Sequence, residues 1–280
     1  MHPPRATHLD IDGVSLTVDR VGYGPPVVCL TAIGHDAHDF DGLARRCGDR
    51  FEFIRIEWPG HGRSGADHQP ASPDRYARLL EAALDRLGVE RPIVIGNSIG
   101  GATAIRYAAR RDVRGLVLCD SGGLVEVNKT TKAFCGLLER FFAAGERGAF
   151  WFGAAFALYY RLVLTQPAAR TQRRSIVNNA RRSAPVLRQA WAGFAQPEAD
   201  VRDMAASLAA PIWVAWATHD RTIPLSLCLP AIQRLRNYSL STFAGGHSPF
   251  LEQPDDFAKG FEAFAASLDL SPDRLAVAVA

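Results

Sequence analysis

Ser98 stands between two glycines in "PIVIGNSIGG", where Gly96-Asn97-Ser98-Ile99-Gly100 follows a short apolar run and precedes the helical stretch "ATAIRYAARR". This spacing is the pattern of a nucleophile held on a sharp strand-to-helix turn. The turn projects the hydroxyl from the sheet edge in a strained backbone conformation, and the glycines remove side chains that would strike the neighbouring strand and helix. The N–H of Ile99, opening the helix, points to where a negative oxygen would form. A serine hydroxyl is a poor nucleophile unless a base takes its proton and an acid orients the base. Downstream, "WVAWATHDRTIP" ends a strand in Asp220, and "TFAGGHSPFLEQPDDF" places His247 in a glycine-lined turn before the last helix.

A second cluster invites a different chemistry. "TAIGHDAHDF" (31–40) carries His35, Asp36, His38 and Asp39, two histidines and two carboxylates in ten positions. A metal would need a third or fourth ligand from a preorganised set, and the chain has neither an HxHxDH pattern nor an HExxH helix. The expectation is no metal and no cofactor. His35 is read as part of a polar rim touching substrate, and Asp36 and His38 as surface residues.

The elements that must position these groups are short strands and helices in alternation. "LDIDGVSLTVDRVG" reads as a hairpin turning at Asp12-Gly13. "GPPVVCL", "FEFIRIEW", "PIVIGN", "RGLVLCD" and "PIWVAWATHD" are continuous apolar runs typical of strands buried on both faces. Between most of them lie helical patterns such as 72–88, with Ser72 as cap, Pro73 at the first position and Gly88 beyond the end. The alternation predicts an α/β fold, a mostly parallel, doubly wound sheet with helices on both faces. The rhythm breaks between Leu124 and Ala210, where no strand is evident. That stretch holds twelve Lys or Arg against six Asp or Glu, net +6, so with the chain at +3 the remainder carries −3.

The four motifs together resemble the α/β-hydrolase fold superfamily, from about residue 8 to residue 268. The order Ser98, Asp220, His247 is that family's order. "EWPGHGRSG" (57–65) resembles its PGxGxS loop, with Glu57 where aspartate is more usual, and "GGHSPFLEQPDDF" resembles its His loop. The resemblance implies Ser98 as nucleophile, His247 as base and Asp220 as acid, with Asp120, at the tip of the strand after the elbow, as the alternative acid. His61 and His219 are read as structural and loop residues. The loop after the third strand supplies a second oxyanion N–H in this family, from the third residue of a His-Gly-X run. Here the run is Thr31-Ala32-Ile33, which makes Ile33 the donor, and "LTAIGHDAHDF" is similar to the family's Leu-Pro-Gly-Leu version ending in Asp-Phe. The family also implies that the insertion after the sixth strand is a helical cap, which divides the chain into a core (1–123 and 211–280) and a cap (124–210). Trp151, Phe152, Phe156 and Tyr159 of the cap, with His35 and Asn97, are the candidate pocket residues.

Composition excludes other classes. With 48% hydrophobic and 22% charged residues over 280 positions, disorder is not indicated. A net charge of +3 without a dense basic stripe argues against nucleic-acid binding. Five widely spaced cysteines form no zinc pattern or disulfide framework, which fits a reducing compartment. The N-terminus lacks a signal-peptide core, and the longest apolar run, "AFWFGAAFALYY" (149–160), ends at Arg161 short of the ~20 residues of a membrane span. The expectation is a cytoplasmic enzyme, either monomer or homo-oligomer, acting on a small molecule. The leading function is a serine hydrolase cleaving an ester, lactone or similar acyl bond. The alternatives are a carbon-carbon bond hydrolase of the meta-cleavage-product type, and a non-hydrolytic binding protein or lyase on the same fold.

Overall fold

The chain opens with the hairpin its sequence predicts. In the computed structural model, which describes residues 5–270, β1 (Arg5–Ile11) pairs antiparallel with β2 (Val14–Gly22). Asp12 and Gly13 both take positive φ, 50° and 75°, the conformation that matches a tight turn to the twist of its strands.

Six further strands follow: β3 (Pro26–Leu30), β4 (Glu52–Ile56), β5 (Ile93–Asn97), β6 (Gly115–Cys119), β7 (Ile212–Ala217) and β8 (Tyr238–Phe243). They form one sheet in the order β1-β2-β4-β3-β5-β6-β7-β8, parallel from β4 onward. The apolar runs are continuous because each strand is covered twice. In β3, Val27 and Cys29 join the core on one side and Val28 and Leu30 the core on the other, all four fully buried. One face packs α1 (Asp41–Cys47) and the C-terminal helices α10 (Pro249–Glu252) and α11 (Pro254–Ala266) through Leu43, Phe250, Phe257 and Phe261. The opposite face packs α2 (Pro73–Leu87) and α3 (Ile99–Ala108) through Tyr76, Leu80 and Ile105. As its sequence signals, α2 is capped by Ser72, whose Oγ accepts the Arg75 N–H at 3.2 Å, and ends at Gly88 with φ 64°.

Between β6 and β7 the described residues form helices and no strand: α4 (Lys129–Glu146), α5 (Phe152–Val163), α6 (Arg170–Asn178), α7 (Ala180–Phe194) and α8 (Arg202–Ser207). The short α9 (Leu225–Ile232) follows β7. The doubly wound sheet with its helical insertion after the sixth strand is thus as expected. Not foreseen as a strand is β8, whose sequence "YSLSTF" is exposed along most of its length and, among the described residues, pairs only with β7. An edge strand lacks the apolar signal of its buried neighbours. No helix among the described residues is long and apolar enough to cross a membrane.

Candidate active site

The C-terminal ends of β5 to β8 lie side by side, and each carries one of the residues singled out for chemistry. At the end of β5, Ser98 has φ 55° and ψ −118°, a conformation that costs on the order of 1–3 kcal/mol and must be held from outside. The Ser98 N–H donates to the Cys119 carbonyl at 3.1 Å, and the Ser98 carbonyl accepts from Gly101 at 3.0 Å and Gly122 at 2.9 Å. The glycines make the crowding tolerable: a Cβ on Gly96 would meet the Gly100 carbonyl, and one on Gly100 the Leu30 carbonyl.

At the ends of β7 and β8, His247 Nδ1 lies 2.8 Å from Asp220 Oδ2, with both residues buried. A carboxylate only accepts, so Nδ1 carries the proton and Nε2 is left as the acceptor. The other Asp220 oxygen accepts the Thr222 and Ile223 N–H groups at 2.7 and 2.9 Å. Asp120, the alternative acid, does not bond the histidine. It is fully buried at φ 42°, and its Oδ1 accepts the Ala217 N–H at 2.9 Å. Burial first, and the neighbouring Asp220 charge second, push its carboxyl well above the usual range. Asp120, Asp220 and His247 lie within 4.8 Å of one another. Both Asp220 oxygens are engaged by His247, Thr222 and Ile223, while Asp120 Oδ2 is buried without a hydrogen-bond partner.

Two residues hold the backbone around the histidine in roles that no sequence motif marks. Asn97, taken for a pocket residue, is fully buried, and its amide joins two loops: Nδ2 donates to the His247 carbonyl at 2.9 Å and the Cys119 carbonyl at 3.0 Å, while Oδ1 accepts from Ser248 Oγ at 2.8 Å. With both ends engaged it has nothing left for substrate. Glu252 accepts the Gly246 and His247 N–H groups on Oε2 at 2.6 and 3.0 Å, and the Thr165 and Gln166 N–H groups on Oε1 at 2.6 and 3.0 Å. One carboxylate therefore ties the His247 loop to the link between α5 and α6. The sequence shows only a glutamate five residues after the histidine, and its burial is visible in the fold alone.

The loop after β3 is built differently. Trp58 Nε1 donates to the Thr31 carbonyl at 3.0 Å, and His61 Nε2 accepts the Gly34 N–H at 2.8 Å while Nδ1 faces the Pro59 carbonyl at 2.9 Å. Burial lowers the His61 pKa to about 4, so the ring is neutral near pH 7 and free to accept. His61 is structural, as read. Among the described residues the N–H groups of Ile33 and Ile99 have no hydrogen-bond partner. His35 is not at the rim. It is buried, bonded through Nδ1 to Asp39 Oδ2 at 2.6 Å, with its ring 5.8 Å from that of Tyr160. It borders a separate cavity of about 50 Å³. Burial pushes the Asp39 carboxyl up and the His35 contact opposes it.

Ser98 and Ile33 open onto a cavity of about 300 Å³, walled mainly by apolar groups. Its outer wall comes from α4 (Phe134, Cys135) and α7 (Trp191, Phe194) and from Ile223 and Leu227. The four α5-region aromatics assigned to the pocket do not line it. Phe152 and Phe156 are fully buried against Phe142, with ring centroids 6.3 and 6.2 Å away. Tyr159 packs on Phe141 and Phe142, and Trp151 is exposed beside Phe141. At 152, 156 and 160 the aromatics recur at helical spacing, the signature of a packing face, and here they pack the insertion on itself.

Known proteins place the chain. It is 28% identical over 269 residues to a Mycobacterium phage protein provisionally named a non-heme haloperoxidase, covering 94% of this chain and 95% of that one. It is 27% identical over 271 residues to a pimeloyl-acyl-carrier-protein methyl ester esterase of Stenotrophomonas maltophilia, covering 90% and 96%. Its fold superposes on the solved structure of an esterase from Exiguobacterium antarcticum with a TM-score of 0.82 at 16% identity, covering 94% and 100%. Residues 27–259 match the alpha/beta hydrolase family, and with strained Ser98, the His247–Asp220 pair and this sheet order in place, the chain belongs to that family.

Proposed function

We propose that the protein is a serine hydrolase that cleaves an ester, lactone or similar acyl bond of a small, largely apolar substrate. Ser98 Oγ attacks the carbonyl carbon while His247 Nε2 takes its proton, and Asp220 holds the imidazole and offsets the charge that develops on it. The carbonyl oxygen becomes an oxyanion between the Ile33 and Ile99 N–H groups. Collapse of the tetrahedral intermediate breaks the acyl-oxygen bond, and His247 returns the proton to the leaving alkoxide. Water, deprotonated by the same ring, then releases the acid and restores Ser98. Residues 124–210 act as the cap, with α4 and α7 enclosing the acyl group.

The observation that carries this reading is the strained Ser98 at the wall of the apolar cavity. The methyl ester esterase among its relatives agrees with it. Ser98→Ala is expected to lower kcat on p-nitrophenyl butyrate by at least about 10³-fold and to abolish labelling by a fluorophosphonate. Unchanged turnover would refute the serine mechanism. An unlabelled serine in the folded wild type would favour a binding protein, and faster turnover of a dienol-diketone than of esters and lactones would favour carbon-carbon hydrolysis.

A further inference from the structure

The aromatic run of residues 149–160 packs only one side of its helix. Along α5 the buried positions are Phe152, Phe156, Tyr160 and Val163, while Trp151, Ala154, Leu158, Arg161 and Leu162 are exposed at the complementary helical spacing. Phe150, just before the helix, is 91% exposed and Leu158 is 61% exposed. The row continues onto α4, where Phe141 lies 6.1 Å from Trp151 by ring centroids and Leu137 and Phe134 are exposed. Phe134 also borders the cavity of Ser98. A helix apolar all round needs cover on both sides, and a contiguous exposed apolar strip marks a contact surface.

Charge identifies what covers it. Residues 147–197 contain eight arginines and no Asp or Glu. Arg147 and Arg161, exposed at the two ends of the α5 strip, have no acidic partner among the described residues. In a twofold pairing of two copies, antiparallel α5 helices would set Arg161 beside Arg147 and parallel ones Arg161 beside Arg161; the one adjacent acid, Glu146, is already paired with Arg188. An anionic lipid surface meets both halves of the pattern. Its headgroups neutralise the arginines, and its interfacial region takes Phe150, Trp151, Leu158 and Leu162. A nucleic acid would satisfy the charge and leave the apolar strip uncovered.

We propose that the outer face of α5 docks on the surface of anionic membranes, which brings the Phe134 side of the cavity toward lipid. The test is co-sedimentation of the full-length protein with vesicles of phosphatidylglycerol and phosphatidylcholine in equal parts, against phosphatidylcholine alone. The expected result is binding at least about tenfold stronger to the anionic vesicles, lost at high ionic strength. It should fall on the order of tenfold in Arg147→Gln/Arg161→Gln and again in Leu158→Ser/Leu162→Ser. These four residues lie outside the Ser98 cavity, so p-nitrophenyl acetate turnover should be unchanged and reports that each variant is folded. Ser98→Ala should bind like the wild type, which separates docking from catalysis. No preference for anionic vesicles, or variants that bind as well as the wild type, would overturn the proposal. So would a dimer by light scattering that Leu158→Ser/Leu162→Ser dissociates, which would make the strip an interface between copies.

Discussion

Two loops flank the candidate oxyanion position, and they keep their shapes by opposite means. The elbow at Ser98 is held by backbone: its N–H and carbonyl are tied to Cys119, Gly101 and Gly122, and its glycines sit where a Cβ would strike a carbonyl. The Thr31–Gly34 loop is held by side chains that arrive from elsewhere, Trp58 and His61. Loop backbone can thus be fixed by what is locally missing or by what is remotely supplied. The first leaves a motif in the sequence and the second does not.

The largest expected effect falls on the elbow. Gly100→Ala drives a methyl into the Leu30 carbonyl, and it should cost about 3 kcal/mol or more of stability by thermal melt and lower kcat at least about hundredfold. A soluble, fully active Gly100→Ala would show that the elbow does not depend on its glycines. His61→Ala tests the other loop. It leaves the buried Gly34 N–H without an acceptor, which is expected to cost about 1–3 kcal/mol and to lower kcat more than it raises KM, because the displaced group would be the Ile33 amide. Equal loss in both variants would erase the contrast between the loops.

A pH series sharpens it further. The folded pKa of His61 is lowered from 6.5 to about 4, so its contribution to stability is complete above pH 6.5, where the unfolded ring is also neutral. It is lost as pH falls from about 6.5 to about 4, because only the unfolded state takes up the proton in that window. His61→Gln should remove part of this acid-side slope in urea melts at stepped pH, and Gly100→Ala should not. The smallest effect is expected from Ile33→Val, which leaves the amide in place: kcat should stay within about threefold, with any change falling on KM because the side chain lines the cavity.

The same division explains what could be read from the residues alone. Strand runs, the Asp12-Gly13 turn and the caps of α2 are local signals, and the structure places each where the pattern put it; Ser98 stands on the tight turn after β5, and Asp220 bonds His247. The choice of Asp220 over Asp120 as the residue bonded to His247 needed the fold, because both end buried strands. The pocket was misread for a related reason. Aromatic residues on a helix announce burial, but burial against Phe142 and burial against substrate look alike until α4 and α7 are seen to form the wall. Asn97 and His35 were polar residues in the right loops whose hydrogen bonds turn out to be used internally.

Glu252 gives the insertion a fixed end. Lifting the α5–α6 link would strip the carboxylate of Thr165 and Gln166 and unsettle the His247 backbone held by its other oxygen. Gly246, where a Cβ would strike the Val163 carbonyl, leaves no slack at the same point. If residues 124–210 act as the proposed cap, this anchor sets its fixed end beside His247, the proposed base, and leaves the α4 and α7 side that borders the cavity as the part to move. Substrate could then enter without the histidine leaving its post.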